Sequence, residues 1–295
     1  MHAIPRAERE IWRGLACTRL TLANGDNAVV SDLGAQVLSW VANGQERLFL
    51  SPHAVLDGSA PIRGGIPVCF PQFNQRGGLP KHGLARRAMW QWTPQEPSGA
   101  AAGAPQAQAI TSTWQWQHSA GTQALWPYAF HAQLHVSLQP GALQVALAVQ
   151  NTGDRAWPFT AALHTYLRIQ NAASCALHGL ADRAYWDAAQ GFAPAVQQGA
   201  VVLGGEVDRV YPGTPQPLTL VESDGTGAGA VQIAQDAAWP ETVVWNPGPT
   251  LCATLHDMAS ESWRHMLCVE AALINQPQAL LPGAHWQAAQ RFQVV

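Results

Sequence analysis

The stretch FHAQLHVSLQ, residues 130–139, alternates without a break. Phe130, Ala132, Leu134, Val136 and Leu138 fall on one side of an extended chain, and His131, Gln133, His135, Ser137 and Gln139 fall on the other. A period of two is the mark of a half-buried strand; a helix would scatter those apolar residues around its circumference. Working outward, residues 143–150 alternate in the same way, and Asn151–Gly153 make a turn before 159–169. Further strands are expected at 20–22, 27–31, 36–41 and 111–117, then at 217–222, 231–234, 242–245, 266–272 and 288–295. Gly, Pro, Asn and Asp punctuate them. Helices are few and short, at 52–56 and near 257–263. The pattern predicts an all-β chain: a large antiparallel β-sandwich, one domain over 1–295. The segment 97–108, PSGAAAGAPQAQ, reads as a flexible loop within that domain, and no internal repeat is present.

Composition narrows the function. The 295 residues are 47% hydrophobic and 12% charged, with a net charge of −3. That is too apolar for disorder, and it supplies no positive field for nucleic acid or an anionic membrane. No apolar run nears the roughly 20 residues that span a bilayer. The start, MHAIPRAEREIW, is charged and lacks the apolar core of a secretory signal. Cys17, Cys69, Cys175, Cys252 and Cys268 are odd in number and widely spaced, as expected of reduced thiols in the cytoplasm. Of sixteen cationic side chains only Lys81 is a lysine.

Common cofactor and metal signatures fail in context. There is no Walker loop. The run GTGAGA, 225–230, precedes strand-like VQIA and not a helix, so it reads as a hairpin turn. His131 and His135 share a strand face and read as polar-face residues, not zinc ligands.

Four segments carry chemistry. Residues 61–87 hold Pro61, Pro67, Pro71 and Pro80, two Gly-Gly pairs, and a set free of acids: Arg63, Arg76, Lys81, His82, Arg86 and Arg87. Such a loop either stacks its arginines on tryptophans such as Trp90 or forms an anion-binding rim; the two readings weigh evenly. In FTAALHTYLRI, 159–169, His164 shares the less apolar face with Ala162 and Tyr166, which suits a sugar cleft, although a lone histidine there is usually structural. In MLCVEAA, 266–272, Glu270 stands among small and apolar neighbours, so it needs a partner or a task; a salt bridge inside the sandwich is an equal alternative. In GEVDRVY, 205–211, Asp208 and Arg209 face opposite ways, and either a sugar-gripping acid or an ordinary surface ion pair fits. Trp245–Gly248 and Asp257–Met258 could close the same cleft as Glu270.

Together PIRGGIPVCFP, LPKHGLARR, ALHTY, GEVDRVY, VVWNPG and CVEAA occur in the order seen in hexose-6-phosphate 1-epimerases, and the chain resembles that group of the aldose 1-epimerase (galactose mutarotase-like) family from about residue 31 to 295. The resemblance implies a galactose mutarotase-like supersandwich, no metal, no organic cofactor, and a small-molecule hexose 6-phosphate as substrate. Carried over by motif, His164 and Glu270 match the catalytic pair, Arg63, Arg86 and Asp208 match substrate-binding residues, and His82 lines the cleft. Lys81 departs from the pattern: a glutamine can bind substrate at that position, whereas an ammonium donates only and could instead reach phosphate. A monomer is expected.

The implied reaction is ring opening and closure. Glu270, ionised, takes the O1 proton, and His164, charged, gives one to the ring oxygen. Competing readings are an epimerase for unphosphorylated aldoses and a non-catalytic carbohydrate-binding sandwich. A glycosidase is disfavoured because no second carboxylate pairs with Glu270.

Overall fold

A computed structural model describes residues 5–94, 109–213, 217–223 and 230–295. The loop 97–108 and the glycine run at 225–229 lie outside the described residues. The strands form three antiparallel sheets of five, nine and eight strands. The opening stretch is a strand with the bounds read from its alternation, Phe130–Gln139, whose apolar side is fully buried. It sits inside the nine-stranded sheet between Ile110–Gln117 and Ala142–Asn151. His131 contacts Gln115 and His135 contacts Thr113 across the strands, which makes both ordinary polar-face residues.

The inner faces of the two larger sheets share one core, in which Phe159 of the eight-stranded sheet meets Trp286 of the nine-stranded one, and Trp239, from the connection between the two sheets, packs on Trp286. Removing such apolar area from water is the main stabilising term, at roughly 25 cal/mol per Å². The chain is all-β in the sense expected, with corrections in detail. Residues 52–56 are turn and coil, not helix. The helix expected near 257–263 reduces to a single 3₁₀ turn, Ser262–His265. Two short α-helices form elsewhere among the described residues. Ala120–Leu125 is opened by a Ser119–Thr122 capping box, and Gly248–Cys252 follows Pro247. No helix among the described residues is long and apolar enough to cross a membrane.

The eight-stranded sheet positions the site. Its central strand, Met266–Leu280, is flanked on one side by Glu241–Asn246 and then Val207–Pro212. On the other side lie Trp157–Leu163 and Tyr166–Arg168, with the short edge strand Val68–Cys69 beyond them. The stretch 159–169, expected as one strand, is therefore two pieces interrupted at His164–Thr165. There the Thr165 N–H turns back to the Leu163 carbonyl.

Candidate active site

The cleft floor is two rows of side chains running across this sheet. Leu163 faces Ala271 and Tyr166 faces Cys268 in one common register, so His164 stands opposite Glu270. Glu270 pairs in turn with Val243, and Val243 with Val210. Two residues along, Tyr166, Cys268, Trp245 and Asp208 form the parallel row. Strand periodicity puts Glu270 with Cys268, Val243 with Trp245 and Val210 with Asp208 on one face, and the register kept on both sides of the His164–Thr165 interruption adds His164 and Tyr166. Seven of these eight residues line a cleft of about 320 Å³; Cys268 lies beneath it.

The rim comes from 61–87. Gly64 and Gly65 have φ of +120° and +62°, and a Cβ on them would lie 2.5 Å from the Phe49 oxygen and 2.1 Å from the Val37 oxygen. Only glycine lets the loop lie this close to its neighbours. The segment is then bonded to the floor: Tyr166 N–H donates to the Gly65 carbonyl and His164 N–H to the Pro67 carbonyl, each at 2.9 Å. Arg63, Arg76, Lys81, His82 and Arg86 all line the cleft. Arg87 does not; it turns away to the Ser59 carbonyl. All seven residues singled out from sequence (Arg63, Lys81, His82, Arg86, His164, Asp208 and Glu270) thus share one cavity.

The cations are not equivalent. Arg63 is neutralised internally: its Nε donates to Asp257 at 3.0 Å and its Nη1 to the Tyr166 hydroxyl at 3.1 Å. Arg86 has no acid partner among the described residues. It donates from Nη2 to the Lys81 carbonyl at 2.6 Å, and its buried Nε has no hydrogen-bond partner. Lys81 is exposed at the rim. Arg209, on the opposite side of its strand from Asp208, bonds Gln197 and stacks on Tyr185 instead of forming an ion pair.

His164 Nδ1 lies 3.3 Å from Glu270 Oε1, outside hydrogen-bond geometry, and Glu270 Oε2 has no partner either. Tyr166 stacks on His164 with ring centroids 4.9 Å apart, and Trp245 meets it edge-on. Behind the pair, the fully buried Gln290 reaches over from the other sheet. It accepts from the Thr165 hydroxyl at 2.8 Å and donates to the Val269 carbonyl at 2.9 Å, tying together the neighbours of both residues. Burial pushes the Glu270 carboxyl well up, and Asp208 adds to this. Burial pushes His164 well down, helped by His82, Arg63 and Arg86. Both shifts favour the neutral form of each group, whereas the expected reaction starts from an ionised Glu270 and a charged His164. Asp208 is raised to about 6, chiefly by burial and then by Glu206 and Asp187.

His164, Cys268 and Glu270 place ligand-capable atoms within 4.8 Å of one another. Burial pushes the Cys268 thiol and the Glu270 carboxyl up, toward the protonated forms, whereas metal ligation uses the deprotonated ones. Sequence reasoning missed Glu206, which lines the cleft two residues before Asp208; strand alternation would have found it. It also missed the role of Asp257 in neutralising Arg63.

An antiparallel supersandwich with an acid–histidine pair on its floor is the architecture of a sugar mutarotase, and the aldose 1-epimerase family model matches residues 18–293. The chain belongs to that family. It is 33% identical over 261 residues to a protein of Cenchrus ciliaris named "Putative glucose-6-phosphate 1-epimerase", covering 86% of this chain and 77% of that one. It is 27% identical over 264 residues to a protein of the same name from Escherichia coli K12, covering 88% and 84%. Among solved structures, that of "a putative mutarotase (YeaD)" from Salmonella typhimurium superposes with a TM-score of 0.84 at 24% identity, covering 98% of this chain and 93% of that one. The last likeness concerns the fold.

Proposed function

We propose that this epimerase interconverts the α and β anomers of D-glucose 6-phosphate or a related hexose 6-phosphate. The observation that carries the reading is the combination of a buried His164–Glu270 pair with Arg86, a partly buried cation with no carboxylate of its own, on the same cleft. The two named relatives support the phosphosugar. A dianion settling on Arg86 and Lys81 offsets the positive field that, after burial, lowers His164, and so favours moving the proton from Glu270 to His164 when substrate binds. Glu270, now ionised, takes the proton of the C1 hydroxyl. The C1–ring-oxygen bond breaks as the C1 carbonyl forms, and His164 gives its proton to the ring oxygen. Rotation about C1–C2 and the reverse transfers give the other anomer. Each member of the pair contributes about 10²–10⁴-fold, and the phosphate contacts hold the ring in place for both transfers. Asp208 accepts from a sugar hydroxyl.

The substrate class is tested by comparing catalysed anomer exchange of glucose and glucose 6-phosphate. A higher kcat/KM on the phosphosugar is expected, with part of the gain in kcat because the phosphate also charges His164. Equal or better turnover of free glucose contradicts the phosphate assignment.

A further inference from the structure

The two cleft histidines, with ring centroids 5.4 Å apart, are held in different ways. His164 keeps Nδ1 unbonded beside Glu270. His82 has its Nδ1 turned to the protein. The Asn74 backbone N–H donates to it at 3.3 Å, and the Cys69 Sγ lies 3.2 Å away. A backbone N–H can only donate, so Nδ1 must carry the lone pair, and a proton there would confront the Asn74 hydrogen. The neutral ring then has its hydrogen on Nε2.

The surroundings enforce this arrangement. The His82 N–H donates back to the Asn74 carbonyl at 2.9 Å, closing a reciprocal pair, and His82 is held at φ +66°, where a residue with a side chain rarely rests. Phe73 packs edge-on against the ring at 5.1 Å. Cys69 belongs to the edge strand that pairs with Trp157–Leu163, so the strand leading into His164 also fixes the thiol. Burial keeps that thiol protonated, able to donate.

We propose that Cys69, together with the Asn74 N–H, is a positioning device that locks His82 in the Nε2–H tautomer, so that His82 is a permanent neutral hydrogen-bond donor to a sugar oxygen while His164 alone moves a proton. The charged and titratable groups around His82 act in the same direction. Arg86, Lys81 and Arg63 oppose its protonation, and burial lowers it to about 3. The sugar-oxygen part of the inference rests on the proposed function; the tautomer does not.

The test is long-range ¹H–¹⁵N correlation on histidine-labelled protein, with the His82 signals assigned by their loss in His82→Gln. The expected spectrum has a pyridine-like Nδ1 and a pyrrole-like Nε2, unchanged from pH 5 to pH 8. A protonated Nδ1, or an imidazolium in that range, overturns the proposal without touching the phosphosugar reading. The second arm measures glucose 6-phosphate anomer exchange. Cys69→Ala should lower kcat/KM about 3- to 10-fold, the effect of one lost hydrogen bond, and should shift the Nδ1 resonance toward that of an unbonded pyridine-like nitrogen, with the Asn74 N–H alone left to hold the tautomer. Cys69→Ser, which still donates, should restore both. Should Cys69→Ala match wild type in spectrum and rate, Cys69 has no positioning role. Should Cys69→Ala not fold, the wild-type spectrum and Cys69→Ser decide.

Discussion

Two glutamates on neighbouring strands of one sheet, Glu241 and Glu270, are both almost fully buried, 4% and 1% exposed. Glu241 has both oxygens met: Oε2 accepts the Ile274 N–H at 2.9 Å and Oε1 the Asn275 N–H at 3.2 Å. These bonds hold the central strand where its register against Trp157–Leu163 slips, between Leu273 and Gln278. Glu270, a few residues away, receives no such bond among the described residues: it lines the cleft, and its buried Oε2 has no hydrogen-bond partner there. Burial is common to both, so burial does not mark the acid proposed to act in catalysis. What marks it is unmet hydrogen-bonding demand, which stability alone does not explain.

The largest effect expected from this contrast is opposite in sign for the two residues. Glu270→Gln should cut catalysed anomer exchange by about 10²–10⁴-fold while raising the thermal midpoint near pH 7. The sign follows from linkage. A carboxyl raised in the folded state contributes fully below its unfolded value of about 4.3 and loses that contribution as pH climbs toward the folded value. The amide removes that loss. Glu241→Gln should do the reverse: it destabilises by about 1–3 kcal/mol and leaves exchange per folded molecule near wild type. Calorimetry and exchange measured on the same samples break the comparison if both variants are less stable and equally active.

The next prediction sharpens the same distinction among the cations. Arg86→Met removes the unpaired guanidinium and should raise KM for glucose 6-phosphate about 10- to 100-fold, the worth of one or two charged hydrogen bonds. Turnover of free glucose should barely change. A smaller step is Gln290→Leu, which leaves Glu270 and His164 in place but cuts the tie between their neighbours. A fall in kcat of about 5- to 20-fold is expected, with KM nearly constant, since the loss is of orientation. The smallest effect should be Lys81→Gln. An exposed ammonium contributes about 0.2–1 kcal/mol, so KM should rise about 1.5- to 5-fold and kcat should hold. A large kcat loss would instead place Lys81 in the chemistry.

Much of the floor was legible because strand alternation is a strict rule. His164 with Tyr166, and Glu270 with Cys268, could be assigned to shared faces from spacing alone. That His164 stands opposite Glu270 was not legible, because pairing register depends on which strands meet. The N-terminal hairpin, Arg6–Trp12 with Leu15–Thr21, was seen only in part. Its first strand, RAEREIW, is charged and mostly exposed at a sheet edge, so its apolar signal is weak. The turn at 52–56 resembled a helix because PHAVL carries no β-branched run. Arg63 looked like one more free cation, since Asp257 is far away in sequence and only the fold brings it within 3.0 Å. The lowering of His164 was not legible, because its burial and the nearness of His82, Arg63 and Arg86 come from the fold.

The central claim is that Glu270 and His164 perform the proton transfers of ring opening. It is tested most directly by NMR magnetisation exchange between the anomers of glucose 6-phosphate, with wild type, Glu270→Gln and His164→Ala at equal concentration. Exchange well above the buffer rate is expected for wild type, with a return close to that rate for both folded variants. Near-normal exchange in both would contradict it.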